Sequence, residues 1–190
     1  MCWADAAEKF TNALASTQAV PGGGAAAATA GAMGCALVLM SVGTTLKRKG
    51  TPAEFVQPLQ ESNARLTGWL DMLQNLARQD ANAYENYLKA YRLPKTDFAR
   101  ETLVQEALWA AACVPADTAD VCRQIFCETG IIREKISPII ISDVLCAQHL
   151  LRGAMACCVE NIRTNLQYIT VPERAEKLKK LLETYESNGK

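Results

Sequence analysis

The sequence has one histidine and no excess of either charge, and each shortage excludes a class of function. A single histidine among 190 residues leaves too few ligands for a histidine-based metal centre. Basic and acidic side chains number 20 each, so the formal net charge at pH 7 is zero. A chain with this charge balance has no overall positive electrostatic potential that would favour binding of nucleic acid. The short cluster from Lys177 to Lys180 is expected to be the solvated face of a final helix.

The eight cysteines contain no CxxC pair, which argues against a zinc site. A disulfide scaffold would be a smaller, loop-rich chain with a secretory signal. We therefore expect buried free thiols, no metal and a reducing, cytoplasmic location. The cysteines that lie among apolar neighbours at helical spacing are Cys113, Cys122, Cys127, Cys146, Cys157 and Cys158.

Runs of alternating apolar and polar residues are absent, and 3.6-residue periodicity fills nearly every segment. The sequence predicts an all-α, single-domain bundle over residues 1–190, with long central helices. Segment 131–141 could be a short strand, but Ser137-Pro138 favours a helix start and no partner strand is visible. The predicted helices span approximately 5–18, 24–47, 51–91, 97–114, 116–128, 138–168 and a charged segment after Pro172.

A charge-free run of small residues follows three consecutive glycines near the N-terminus. Pro21-Gly22-Gly23-Gly24 leads into Ala25 through Leu46, a run rich in Ala and Gly. Glycines at a helix N-terminus can leave backbone N–H groups available to an anion, and small side chains let another helix pack closely. The run is long enough to cross a membrane, but its residues are near-neutral for insertion and no second span is apparent. We expect a buried helix and no membrane association.

Three polar residues share an otherwise small or apolar stripe of the sixth predicted helix. Asp143 and Asn161 are 18 residues apart, about five turns, and Asn165 follows Asn161 by four. Such residues form either helix-to-helix hydrogen bonds or a ligand site, and the pattern leaves both open. Asp143 and Asn161 would lie about 27 Å apart. They therefore serve different parts of a long ligand, or a second chain packs antiparallel and brings them together.

Further candidates lie late in the long third helix and just after it. Asp80 precedes Tyr84 by one helical turn, and Lys95 follows the break at Leu93-Pro94. Taken singly, the aspartate is more typical of a helix surface and the lysine of a solvated side chain.

Taken together, these pieces resemble the folate-dependent cyclodeaminase and methenyltetrahydrofolate cyclohydrolase family, which includes the C-terminal domain of formiminotransferase-cyclodeaminase. The resemblance extends over about residues 10–169. The matching segments, in order, are Pro21-Gly22-Gly23-Gly24, Asp80-Ala81-Asn82-Ala83-Tyr84, Leu93-Pro94-Lys95, Val114-Pro115, Ser142-Asp143 and Asn161-Ile162-Arg163-Thr164-Asn165-Leu166.

The resemblance implies an all-α homodimer or larger assembly that acts on a tetrahydrofolate derivative, with no metal and no cofactor beyond that substrate. In the cyclodeaminase, N10 attacks a formimino carbon and ammonia leaves; in the cyclohydrolase, water opens the methenyl bridge. Both reactions need a base and an acid. The resemblance implies a catalytic set of Asp80, Asp143 and Lys95, and a substrate-binding set of Gly22, Gly23, Gly24, Tyr84, Asn161, Arg163 and Asn165.

Within these sets the implied roles differ. Either aspartate would transfer protons or hold the guanidine-like edge of the pterin. Lys95, Arg163 and the glycine turn would contact the glutamate carboxylates of the substrate, and the two asparagines would hold the pteridine or orient water.

The sequence departs from the family at three places. Ala25 replaces a usual serine, Gly43-Thr44-Thr45-Leu46 stands where Asn-Leu-Thr is common, and Ser137-Pro138-Ile139 stands where Gly-Asn often precedes the Ser-Asp pair. The alternatives to an enzyme are a folate-binding or assembly module that has lost activity, and a structural bundle without a ligand.

Overall fold

The structure is a computed structural model that describes residues 2–187. This range contains six α-helices and two short 3₁₀ helices, Arg133–Lys135 and Pro138–Ile140, and no β-strand. The all-α expectation and the helical interpretation of segment 131–141 are both confirmed. The α-helices are α1 (Trp3–Ala15), α2 (Gly23–Leu46), α3 (Ala53–Tyr91), α4 (Arg100–Ile132), α5 (Ile141–Leu166) and α6 (Pro172–Ser187).

The charge-free helix α2 packs against α3, α4 and α5. Its small residues allow this contact on several sides: a Cβ placed on Gly31 would lie 2.6 Å from Cys122 Sγ of α4. Its larger inward residues, Val38 and Val42, are fully buried. The core of the bundle is therefore organised around α2, while the longer helices α3 and α4 lie beside it.

By length and composition, two helices of the described chain could cross a membrane, Gly23–Leu46 and Pro138–Leu166. The expectation that no second such segment exists is therefore wrong. Within the fold, 50% of the most apolar 18-residue stretch of α2 is buried, compared with 22% of the corresponding stretch within Pro138–Leu166. Both helices thus contribute to the core, and α2 also carries two large apolar side chains, Met33 and Met40, that its own chain leaves exposed.

The predicted break at Pro115 is also wrong, because α4 continues through this proline from Arg100 to Ile132. Pro58 likewise lies inside α3. A proline removes one helical hydrogen bond and clashes with the preceding turn, which costs about 3 kcal/mol in an isolated helix. Tertiary packing offsets that cost here, since Pro115 and its neighbours Val114 and Ala116 are buried.

All eight cysteines are free. Cys35, Cys122 and Cys158 are buried, and burial raises the pKa of the Cys35 and Cys122 thiols to about 12. The expectation of buried thiols is wrong for Cys127, Cys146 and Cys157, which lie on outward faces of α4 and α5. Among residues 2–187, no group of three or more histidine, cysteine or acidic side chains is arranged to hold a metal ion.

A polar network joins α3 to the C-terminal end of α4. The Glu128 carboxylate accepts hydrogen bonds from Ser62 Oγ at 2.5 Å and Arg65 Nη2 at 2.6 Å. Burial alone would raise the pKa of Glu128, but the hydrogen bonds and the positive charge of Arg65 lower it below its ordinary value. Glu128 is thus a buried, paired carboxylate with a structural role.

Candidate functional site

A cleft of about 380 Å³ lies where the first turn of α2 meets the second half of α3. Early residues of α4 and late residues of α5 complete its walls. The lining residues are Ala19, Val20, Gly22, Gly23, Gly24, Asp80, Tyr84, Tyr87, Leu108, Ala111, Asn161, Asn165 and Tyr168.

Asp80 caps the N-terminus of α2 from the neighbouring helix. Its Oδ2 accepts the Ala25 N–H at 2.9 Å, one of the N–H groups that have no partner within the helix. Gly24 permits this approach, because a Cβ at that position would lie 2.0 Å from Asp80 Oδ1. The helix terminus that the glycines open therefore already holds an anion, the carboxylate of Asp80.

Burial raises the pKa of Asp80 above its ordinary value, and the hydrogen bond from Ala25 opposes part of that rise. No cationic side chain is among the causes of the shift, in contrast to Glu128. A carboxyl group that is desolvated but unpaired binds a proton more readily, which is the property that acid–base catalysis needs.

Two asparagine amides of α5 face the cleft one turn apart. Asn161 packs on the glycine turn, since a Cβ at Gly23 would lie 3.4 Å from both Asn161 Nδ2 and Oδ1. Its Nδ2 donates to the Cys157 carbonyl at 2.8 Å. Asn165 Nδ2 donates to the Ala111 carbonyl of α4 at 3.4 Å. The two amides are therefore held by backbone carbonyls and present further polar atoms to the cleft.

Three tyrosines supply the aromatic part of the wall. Tyr84 and Tyr87 of α3 have ring centroids 6.3 Å apart, and Tyr168 follows the end of α5. Tyr91 continues the row at 5.7 Å from Tyr87. Tyrosine rings provide flat apolar surface beside a polar hydroxyl, so this wall suits a planar ligand that also forms hydrogen bonds.

Most of the candidate residues from the sequence meet in this cleft. Those that line it are Gly22, Gly23, Gly24, Asp80, Tyr84, Asn161 and Asn165. Asp143, Lys95 and Arg163 are not among the lining residues. Asp143 lies in the first turn of α5, about 27 Å along the helix from Asn161. Within one chain, these three residues do not join the others.

The remaining two candidates point to solvent. Lys95 is exposed in the turn between α3 and α4. Arg163 is exposed on α5 between the two asparagines and forms an ion pair with Glu160. Because residues two apart on a helix do not face each other, Arg163 is directed away from the cleft that Asn161 and Asn165 line.

The profile of the formiminotransferase-cyclodeaminase family matches residues 6–184, nearly the whole chain. The chain belongs to this family. It is 36% identical over 186 residues to the methenyltetrahydrofolate cyclohydrolase of Methylorubrum extorquens, covering 92% of this chain and 88% of that protein.

Two further proteins, both named as cyclodeaminases, are similar to this chain. It is 34% identical over 121 residues to the formimidoyltransferase-cyclodeaminase of Sus scrofa, covering 58% of this chain but 21% of that longer protein. The crystal structure of formiminotetrahydrofolate cyclodeaminase from Thermotoga maritima superposes with a TM-score of 0.85 at 26% identity, covering 100% of this chain and 90% of that one.

The residues that depart from the formiminotransferase-cyclodeaminase pattern are not among those that line the cleft. Ala25 is 2% exposed and supplies its backbone N–H to Asp80, so that bond does not require the hydroxyl of a serine. Thr45 and Ser137 meet at the other end of α2, where the Ser137 N–H donates to Thr45 Oγ1 at 3.1 Å. This contact lies about 30 Å along α2 from Gly24.

Sequence reasoning missed six lining residues, Ala19, Val20, Tyr87, Leu108, Ala111 and Tyr168. Tyr87 could have been found from its spacing of three after Tyr84, which puts both rings on one helix face. Tyr168 follows Asn165 by the same spacing. Ala19, Val20, Leu108 and Ala111 carry no polar side chain, so only their position in the fold identifies them.

Proposed function

We propose that this protein acts on the one-carbon unit bridging N5 and N10 of tetrahydrofolate, as a methenyltetrahydrofolate cyclohydrolase. The observation that carries the proposal is the cleft itself, where a desolvated carboxyl, two anchored amides and an aromatic wall converge. The similarity to a cyclohydrolase over 92% of the chain supports this choice of reaction.

In this proposal Asp80 is the proton-transfer group. Water attacks the bridging carbon and loses a proton to the carboxylate. The bond from that carbon to N5 then breaks as Asp80 gives its proton to the departing nitrogen. The added hydroxyl group releases its own proton to solvent as the carbonyl forms, so the formyl group stays on N10. A raised pKa makes the Asp80 carboxylate a stronger base than an exposed one, and makes its protonated form accessible nearer to neutral pH.

The remaining lining residues would bind and orient the substrate. Tyr84 and Tyr87 would pack against its flat rings, and the amides of Asn161 and Asn165 would hold the polar edge of the pteridine or position the attacking water. No cofactor beyond the folate is proposed, because carboxyl and amide groups suffice for this acid–base chemistry.

A second candidate reaction is the cyclodeaminase step, in which N10 attacks a formimino carbon and ammonia leaves. The similarity of the whole fold to a cyclodeaminase from Thermotoga maritima favours it. Both reactions occur at the same carbon and use the same type of proton transfer, so one cleft serves either.

Parallel assays with 5,10-methenyltetrahydrofolate and 5-formiminotetrahydrofolate test the proposal. We expect accelerated loss of the near-UV absorbance of the methenyl compound. Release of ammonia from the formimino compound with unaccelerated methenyl decay would identify the cyclodeaminase instead. Folate binding without turnover would identify a non-catalytic module, and the absence of any thermal shift with either folate would contradict folate binding altogether.

We also propose that the protein is a homodimer that uses the outer face of α2. Met33 and Met40 are 52% and 42% exposed on a helix with no charged residue between Gly23 and Leu46. Large apolar surface of this kind is typical of an interface between subunits. Asp143 would then join the catalytic set only from a second copy, packed antiparallel so that it lies opposite Asn161.

A further inference from the structure

The helix α4 contains a proline, Pro115, at a position where it frees a backbone carbonyl in the wall of the cleft. In a regular α-helix the N–H of residue 115 would bond to the carbonyl of Ala111, four residues earlier. Pro115 has no N–H, so this carbonyl loses its helical donor. Ala111 lines the cleft, and the freed acceptor therefore lies next to the candidate site.

Asn165 takes the place of the missing donor. Its Nδ2 lies 3.4 Å from the Ala111 oxygen, across the gap between α5 and α4. A carbonyl oxygen can only accept, so the nitrogen of the amide must face Ala111 and the oxygen must be the other end. This contact therefore fixes the orientation of the Asn165 amide, with Nδ2 toward Ala111 and Oδ1 on the opposite side.

We propose that Pro115 is a positioning residue for this cleft, acting through the Ala111 carbonyl on the amide of Asn165. By withholding its N–H, Pro115 leaves an acceptor that holds Asn165 Nδ2 and directs Asn165 Oδ1 to a donor on the ligand. The N–H groups of a pterin ring are donors of that kind, and this identification of the ligand rests on the proposed function.

A proline that served only to bend α4 would behave differently when it is replaced. Alanine at position 115 restores the helical hydrogen bond to Ala111 and removes the clash of the proline ring, so the folded state is not expected to lose stability. Under our proposal the same change competes with Asn165 for the Ala111 oxygen. We therefore expect Pro115→Ala to lower activity without lowering thermal stability.

The chain offers a matched control in Pro58, the other proline inside a helix. It frees the carbonyl of Glu54 in the exposed first turn of α3, away from the cleft. Pro58→Ala is therefore the same substitution inside a helix, but the carbonyl that it affects belongs to Glu54, which does not line the cleft.

The kinetic test compares Pro115→Ala, Pro58→Ala, Asn165→Ala and the double variant Pro115→Ala/Asn165→Ala. We expect Pro115→Ala to lower kcat/KM about five- to tenfold, the effect of one neutral hydrogen bond, with an unchanged or higher Tm. Pro58→Ala should leave kcat/KM unchanged. In the Asn165→Ala background, Pro115→Ala should add less than about a twofold loss. Full activity of Pro115→Ala, or independent losses in the double variant, would overturn the inference.

A readout without substrate separates this inference from the proposed function. The side-chain amide of Asn165 gives a pair of ¹H–¹⁵N correlations that is assigned by its loss in Asn165→Ala. This pair should shift in Pro115→Ala and stay in place in Pro58→Ala. An unmoved pair contradicts the inference whether or not the wild type acts on folate. Inactive wild type with the expected shift contradicts only the proposed function.

A second variant covers the case in which Pro115→Ala does not fold. Asn165→Asp keeps the shape of the side chain but cannot donate to the Ala111 oxygen when ionised. We expect it to lose at least as much kcat/KM as Asn165→Ala, and wild-type activity would overturn the inference.

Discussion

Asp80 is half-buried and Glu128 is buried, and the pKa values of their carboxyl groups shift in opposite directions. Glu128 has Arg65 and Ser62 as partners, so its charged form is favoured. Asp80 has a single backbone N–H and no cation, so burial dominates and its charged form is disfavoured. The carboxylate paired with a cation stabilises the fold, whereas the pKa of the carboxyl group without one shifts in the direction that favours its protonated form.

We expect Asp80→Asn to lower turnover at least about a hundredfold, since general acid–base catalysis contributes at least that factor. The amide oxygen can still accept the Ala25 N–H, so the capping of α2 persists. Asp71→Asn, an exposed aspartate of the same helix, is the control and should be active. Turnover close to wild type in Asp80→Asn would remove this residue from the proposed mechanism.

The same substitution has a consequence for stability. Between the ordinary pKa of 3.8 and the raised value in the fold, the folded state binds more protons than the unfolded state, so Asp80 makes stability fall as the pH rises. Asp80→Asn should remove this slope and should unfold no more easily than the wild type at pH 7. Urea unfolding at several pH values measures both effects.

Glu128 predicts the opposite pH dependence. Its pKa lies below the ordinary 4.5, so its stabilising contribution is present above that value and is lost as the pH falls through the lower, folded-state pKa. Glu128→Gln should lower the free energy of unfolding at pH 7 by about 1–3 kcal/mol and flatten the acid limb. Glu85→Gln, an exposed residue of α3, should match the wild type. Equal stability of the two variants would contradict the structural role of the network.

At the scale of the elements, the two ends of α2 differ in whether close packing requires glycine. Its first turn receives Asp80 of α3 at a distance that only glycine allows, whereas Gly43, near its last turn, has no atom within 4 Å of an added Cβ. The glycines of one helix therefore serve different purposes: Gly24 lets Asp80 approach, and no contact within its own chain requires glycine at position 43.

Gly24→Ala and Gly43→Ala make this difference measurable. The first should displace Asp80, abolish most activity and cost about 1–3 kcal/mol through overpacking. The second should be active and gain about 0.5–1 kcal/mol, because alanine is the better helix former. Chemical denaturation and turnover assays on both proteins check the prediction, and an active, stable Gly24→Ala would show that the contact with Asp80 is dispensable.

At the scale of the whole molecule, the main feature is apolar surface on α2 that the single chain leaves exposed to solvent. Met33 and Met40 of α2 are 52% and 42% exposed, and only 50% of the most apolar 18-residue stretch of this helix is buried. Association with a second copy would cover such surface. It would also allow Asp143, which does not line the cleft of its own chain, to lie beside the cleft of the second copy.

Met33→Glu tests the proposed interface. A charge in the middle of an apolar interface is costly to bury, so we expect the variant to be monomeric at concentrations where the wild type is dimeric. Met72→Glu, on α3 and 50% exposed, is the control and should stay dimeric. Light scattering after size exclusion gives the masses. A wild type that is monomeric would contradict the homodimer, and a dimeric Met33→Glu would exclude this face as its interface.

Helix periodicity and the ordered motifs were enough to predict the all-α class, the family and seven residues of one cleft. The reason is local: hydrophobic spacing determines which faces are buried, and turn residues such as Gly22–Gly24 mark where a helix begins. The break predicted at Pro115 failed because local propensity is weaker than burial of the surrounding helix. Arg163 was grouped with its neighbours because it lies between Asn161 and Asn165 in the motif, yet it points outward.

Residue types and their order along the chain were thus sufficient for the helices, the glycine turn and the carboxyl and amide groups of the site. Only the tertiary structure decided that Asp80 reaches the first turn of α2, that its carboxyl stands without a cation, and that Asn165 replaces the hydrogen bond lost at Pro115. These contacts join residues 54 or 55 positions apart, and the desolvation that shifts a pKa depends on every element packed around the group.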